Sequence, residues 1–184
     1  ENISKLSPLP KNYIWKIFGY KRAKGSYSYQ ERRDVMEGLI ISDDIVLQYK
    51  GEDREISIPE GIKEIAEYAF ENSQVKKVNL PFSIKNISDF AFSSCKNLEE
   101  VSIPYGLKII GSFAFYNCSS LKNIQIPNSV SIIKTNAFRK CYNLESVKLP
   151  DNIKQLSISC FEDCVKLKDI VIPKSVKLIN KMCF

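Results

Sequence analysis

Apolar and polar residues recur along this chain at one interval. In "LEEVSIP" (Leu98 to Pro104) the apolar Val101 and Ile103 alternate with the polar Glu100 and Ser102, the pattern of a strand with one buried face. The stretch returns as "LKNIQIP", "LESVKLP" and "LKDIVIP". Prolines stand at Pro59, Pro81, Pro104, Pro127, Pro150 and Pro173, one step of 22 residues and then steps of 23. Phenylalanines keep the same beat at Phe70, Phe92, Phe115, Phe138, Phe161 and Phe184, each after an alanine or, in the last two units, a cysteine. Proline has no N–H to give a ladder, so this column ends every strand in register and turns the chain there. The segment "LKII" suits a second short strand, and "SFAFYNC" predicts a single helical or 3₁₀ turn.

A fixed period of this length signals a repeat array, in which each unit buries its apolar face only against its neighbours. The predicted architecture is a repeat solenoid, mainly β with short helical or 3₁₀ turns. It has about five complete coils and a partial sixth over residues 59–184, a capping hairpin over 35–58 and an N-terminal arm over 1–34.

The units "PFSIKNISDFAFSSCKNLEEVSI", "PYGLKIIGSFAFYNCSSLKNIQI", "PNSVSIIKTNAFRKCYNLESVKL" and "PDNIKQLSISCFEDCVKLKDIVI" share the pattern Pro-x-x-Val-x-x-Ile-x-x-x-Ala-Phe-x-x-Cys-x-x-Leu-x-x-Val-x-Ile. This resembles the BspA-type leucine-rich repeat found in many bacterial surface proteins, and the resemblance covers Ile56 to Phe184. The preceding "EGLIISDDIVLQYKGEDREISIP" is similar to the hairpin with which such proteins often begin. The first coil departs by being one residue short and by carrying Ser73 where later coils have cysteine. The resemblance implies a binding role, frequently adhesion to a host or neighbouring-cell surface protein, and a surface or secreted location. Cytoplasmic residence is the alternative.

Charge and cysteine usage adjust this picture. The net charge is +6, yet residues 1–34 hold +5 of it, eight basic side chains against three acidic ones. That arm interleaves aromatic and basic residues. A role as cap or linker is favoured for it, contact with an anionic membrane surface comes second, and nucleic acid last. No run approaches eighteen apolar residues, and the first residues lack a charged start followed by an apolar stretch. The last coil stops halfway, at Phe184, which predicts an open face at Leu167, Ile170 and Ile172. The expectation is a longer chain, or an oligomer or other molecule covering that end.

Of six cysteines, Cys95, Cys118, Cys141 and Cys164 share one column. They read as small buried residues lining the turn. Cys160 and Cys183 fall one coil apart, with a bond between them the minor alternative. There is no histidine, which removes Ser-His and Cys-His nucleophile pairs; no paired Cys-x-x-Cys and no glycine-rich phosphate loop appears. The chain therefore reads as no enzyme, with neither cofactor nor metal.

Binding is left to the exposed strand positions: Lys77 and Asn79, Glu100 and Ser102, Asn123 and Gln125, Ser146 and Lys148, Asp169 and Val171. These columns change from coil to coil while the inward ones stay apolar. Phe82 and Tyr105, directly after their prolines, join them as candidates for protein contact. A second aromatic column, Tyr68, Phe90 and Phe113, is expected to seat the arm, with a partner-binding patch as the alternative.

Overall fold

Proline sets the corner of every coil, and the strands run into it as the pattern predicts. The computed structural model describes residues 38–184, so the arm of residues 1–34 and the membrane or nucleic-acid contacts considered for it lie outside the described residues. The chain enters through an antiparallel hairpin, β1 (Leu39–Ser42) and β2 (Ile45–Tyr49). Asp43, at its tip, adopts the left-handed conformation with φ of 53°, which an acidic turn residue tolerates.

Each coil then contributes two strands. On one side lie β3 (Glu55–Ser57), β5 (Lys77–Asn79), β7 (Glu100–Ser102), β9 (Asn123–Gln125), β11 (Ser146–Lys148) and β13 (Asp169–Ile170). On the other lie β4 (Glu64–Ile65), β6 (Asn86–Ile87), β8 (Ile109–Ile110), β10 (Ile132–Ile133), β12 (Gln155–Leu156) and β14 (Leu178–Ile179). Neighbouring coils pair in parallel, one repeat apart. The hairpin joins the second side through β2, giving one sheet in the order β1-β2-β4-β6-β8-β10. Both ladders are interrupted once. The first side divides into β3-β5-β7 and β9-β11-β13, and the second stops between β10 and β12, where the Ser157 hydroxyl donates to the Ile133 carbonyl at 2.6 Å.

The third side differs from the expected helical turn: the described residues contain no helix. The reason lies in how the backbone donors are shared. Ala114, Tyr116 and Cys118 donate to carbonyls three residues back, whereas Phe113, Phe115 and Asn117 donate to Thr135, Ala137 and Arg139 of the next coil. Alternating bonds of this kind need alternating backbone conformations, and Phe113 and Asn117 both have φ of 57°. Left-handed residues spaced four apart forbid a helix, and the same pair recurs at Tyr68 and Asn72, Phe90 and Ser94, Asn136 and Lys140, and Ser159 and Asp163.

Inside the coil the phenylalanine column forms one stack. Ring centroids from Phe70 through Phe92, Phe115, Phe138 and Phe161 to Phe184 lie 4.9, 5.3, 5.3, 5.5 and 5.9 Å apart, the range of offset aromatic pairs. Tyr49 of the hairpin closes the N-terminal end 5.0 Å from Phe70, so the cap is tied into the same core. The cysteine column is fully buried at its centre and has a polar task. The thiols of Cys95, Cys118, Cys141 and Cys164 donate to the carbonyls of Phe70, Phe92, Phe115 and Phe138 in the preceding coil, at 3.0 to 3.2 Å. Serine at position 73 fits the first coil because its hydroxyl meets the Cys95 thiol at 3.3 Å. Cys160 and Cys183 are buried free thiols in adjacent coils.

Candidate functional site

Buried Val78, Val101, Ile124 and Val147 anchor the strands of the first side, and the residues flanking them point to solvent because side chains alternate along a strand. Parallel register sets Glu55, Lys77 and Glu100 abreast, and Ser57, Asn79 and Ser102 beside them. Asn123 and Ser146 align likewise, as do Gln125 and Lys148, and Asp169 follows Ser146.

This geometry divides the candidates into two groups. Lys77 pairs with Glu100 at 3.0 Å, Asn79 donates to Ser57 at 3.2 Å, and Ser146 donates to Asn123 at 2.7 Å. The Ser102 hydroxyl accepts the Leu80 backbone N–H at 3.2 Å. One residue outward, Lys76 bonds Glu99 at 2.9 Å and holds that carboxyl below its ordinary range, chiefly through the hydrogen bond. Gln125, Lys148 and Asp169 are exposed with no side-chain partner among the described residues. Cross-strand pairing is densest on β3, β5 and β7, whereas on β9, β11 and β13 the Ser146–Asn123 bond leaves Gln125, Lys148 and Asp169 without partners among the described residues.

Glu55 and Ser57 belong to this face although they precede the first repeat proline. Their segment "EISIP" has the same form as "EVSIP" of the third strand, a signal that the hairpin assignment obscured. Phe82 and Tyr105 stand at the proline corner of the face, 73% and 70% exposed.

The other aromatic column is a stack on the surface. Tyr68 lies 5.0 Å from Phe90, and Phe90 lies 4.7 Å from Phe113; Tyr116 then meets Phe113 edge-on at 5.7 Å. The Lys140 amine ends the run 5.6 Å above the Tyr116 ring, a cation–π distance. Stacked rings present edges, not faces, to solvent. The column stops at the fourth coil because Asn136 replaces the ring and is buried. The arm expected to sit on this stack lies outside the described residues.

A shallow groove of about 340 Å³ opens on the second side beside Gly111, lined by Glu64, Asp89 and Lys134 among others. Its polar groups satisfy one another: Ser88 donates to Glu64 at 2.7 Å, and Ser112 N–H and Lys134 reach Asp89 at 2.9 and 3.1 Å. No cluster of three metal-ligating side chains occurs among the described residues, and no helix among them is long and apolar enough to cross a membrane. In the last coil, Leu178, Ile179, Met182 and Phe184 are about half exposed. Ile172 is exposed as expected, while Leu167 and Ile170 are partly buried against the core.

Residues 63–184 match the family model described as the BspA type leucine rich repeat region, in six copies. No protein of curated function matches the chain. Among solved structures, a leucine rich cell surface protein from Faecalibacterium prausnitzii is 28% identical with a TM-score of 0.72, the match covering 79% of this chain and 43% of that one. A leucine rich repeat protein of T. pallidum is 28% identical with a TM-score of 0.62, over 73% of this chain and 77% of that one. The pneumococcal vaccine antigen PcpA is 27% identical with a TM-score of 0.63, over 79% of this chain and 42% of that one. The chain thus spans less than half the length of the first and third of these.

Proposed function

The chain belongs to the BspA-type leucine-rich repeat family, and from that premise we propose that it is a non-catalytic module that binds a protein through its first strand face and serves adhesion at a cell surface. The observation that carries this reading is the contrast along β9, β11 and β13. Ile124 and Val147 are buried, while Gln125, Lys148 and Asp169 beside them differ in chemistry from coil to coil and have no side-chain partner among the described residues.

Such a face is ready to bind. Its backbone is held by parallel ladders and by a continuous core, so little conformational freedom is lost when a partner docks. The paired residues Lys77, Asn79, Glu100, Ser102, Asn123 and Ser146 order the surface, and the exposed rings of Phe82 and Tyr105 supply apolar contact at its corner. The surface location of this module is supported by the Faecalibacterium prausnitzii protein, described as a cell surface protein. A host or neighbouring-cell surface protein is the partner that reading supplies.

The test is a charge exchange, Lys148→Glu with Asp169→Lys, which leaves net charge and core unaltered. Attachment of the purified chain to candidate cell surfaces should weaken at least tenfold, because two rim charges are set against the partner's field. Undiminished attachment would remove β11 and β13 from the site.

A further inference from the structure

Five of the six coils place a lysine directly after the first inward residue: Lys63, Lys85, Lys108, Lys154 and Lys177, with Ser131 in the fourth coil. All six positions are exposed. Backbone bonds hold them in two runs: Lys85 N–H donates to Lys63, Lys108 to Lys85 and Ser131 to Lys108 at 2.7 to 3.0 Å, and Lys177 to Lys154 at 2.8 Å, the runs meeting at the break between β10 and β12. Neighbouring amines therefore rise from backbones one strand spacing apart, about 4.8 Å. Lys63 is engaged by Asp44 at 2.7 Å. No carboxylate among the described residues forms an ion pair with the other four.

The line is not a by-product of a basic surface. Residues 35–184 carry 19 basic against 18 acidic side chains. From the second coil onward, the residue after each column position is Asn86, Ile109, Ile132, Gln155 or Leu178, so no acid shares the strand edge. Like charges on adjacent strands repel, and a ligand with negative groups at a similar interval converts that repulsion into attraction.

We infer that this column docks a linear anionic polysaccharide, with about one carboxylate or sulfate per sugar, lying along the solenoid axis. A single file of charges fits a thin chain better than a duplex or a flat bilayer. One sugar unit advances about as far as one strand spacing. Phe82 and Tyr105 stand three residues ahead of Lys85 and Lys108 and offer apolar faces to sugar rings. Single-stranded nucleic acid is held by aromatic groups that stack successive bases along the strand, and aromatics at this corner are confined to two of the six coils. The lysine column lies outside the protein-binding face and meets it only at the corner rings of Phe82 and Tyr105.

The experiment uses the 184-residue chain and heparin-derived oligosaccharides of defined length, titrated calorimetrically over a range of salt. Lys108→Ser with Lys154→Ser copies the residue that the fourth coil already carries, so the fold accommodates it. Binding should weaken about fivefold per lysine, the worth of a close ion pair in water, and the salt slope should fall by about one per lysine. Ser131→Lys, which completes the column, should tighten binding about fivefold. Lys166→Ser with Lys168→Ser removes the same charge off the column and should change affinity less than about twofold, as expected of screened, distant charges. An equal loss from that control, no gain from Ser131→Lys, or tighter binding of a single-stranded oligonucleotide of equal charge would overturn the inference.

Discussion

Phe115→Ala probes the core on which both surfaces depend. The ring is fully buried and lies 5.3 Å from Phe92 on one side and 5.3 Å from Phe138 on the other. Returning a buried phenyl group to water forfeits about 1.5–3 kcal/mol, and the cavity raises the cost of Phe→Ala to about 3–5 kcal/mol. The upper half of that range applies because two ring contacts, each worth about 0.5–1.5 kcal/mol, vanish together. Phe184→Ala is the internal comparison. That ring is 56% exposed and has one stacked neighbour at 5.9 Å, so its removal should cost about 1 kcal/mol. Urea unfolding followed by circular dichroism would read both. At about 2–4 °C per kcal/mol for a chain of this size, Phe115→Ala should also melt roughly 8–20 °C lower than the parent. A loss within about 1 kcal/mol of that for Phe184→Ala would refute a core transmitted coil to coil through the rings.

Three further outcomes follow from the packing. Burial pushes the Cys95 thiol up to about 11 and raises Cys118, Cys141 and Cys160 well above the ordinary thiol value. The unfolded chain therefore loses these protons first, so stability is intact below the ordinary thiol pKa of about 8.5 and falls as pH climbs towards and past 11, by about 1.4 kcal/mol per thiol per pH unit. Urea midpoints at pH 8 and pH 10 would check it, and equal midpoints would contradict the buried thiol column. Gly111→Ala should destabilise by about 1–3 kcal/mol, since a Cβ there meets the Ser88 carbonyl carbon at 2.5 Å and the Asp89 nitrogen at 2.6 Å; an unchanged melting temperature would show that the two coils separate freely. A double-mutant cycle on the half-buried Lys77 and the exposed Glu100 should give a coupling below about 1 kcal/mol, and a larger value would mean that the surface ladder stabilises the fold.

The periodic residues carried most of the architecture. Proline steps located the corners, and the Ile65 and Phe70 columns located the core, because burial in a stacked coil demands the same side chain at the same place each time. The turn segment, expected as a helical or 3₁₀ turn, keeps bonds to carbonyls three residues back without becoming a helix. Its helix-like spacing comes from bonds that alternate between Phe113's own coil and the next, and a hydropathy pattern does not record which carbonyl an N–H will choose. The exposed face was legible as positions but not as a surface. Whether Lys77 is free or held by Glu100 depends on side-chain geometry between residues 23 apart, so which of these side chains are paired and which are free is not written in the letters. The lysine column is visible in the letters "IK", "LK" and "VK" after every repeat proline but Pro127. Charged residues on a solenoid exterior are expected, and only the lack of an acid after the column position from the second coil onward marks this column out.

The most direct test of the binding face places a photo-crosslinking residue at the exposed Gln125 of β9, and in a second variant at Lys166, an exposed position off that face. Each chain is illuminated on candidate host or neighbouring cells. The account predicts one covalent protein adduct from position 125 and none from position 166. An adduct of equal yield from position 166, or retained cell binding with no adduct at 125, would contradict it.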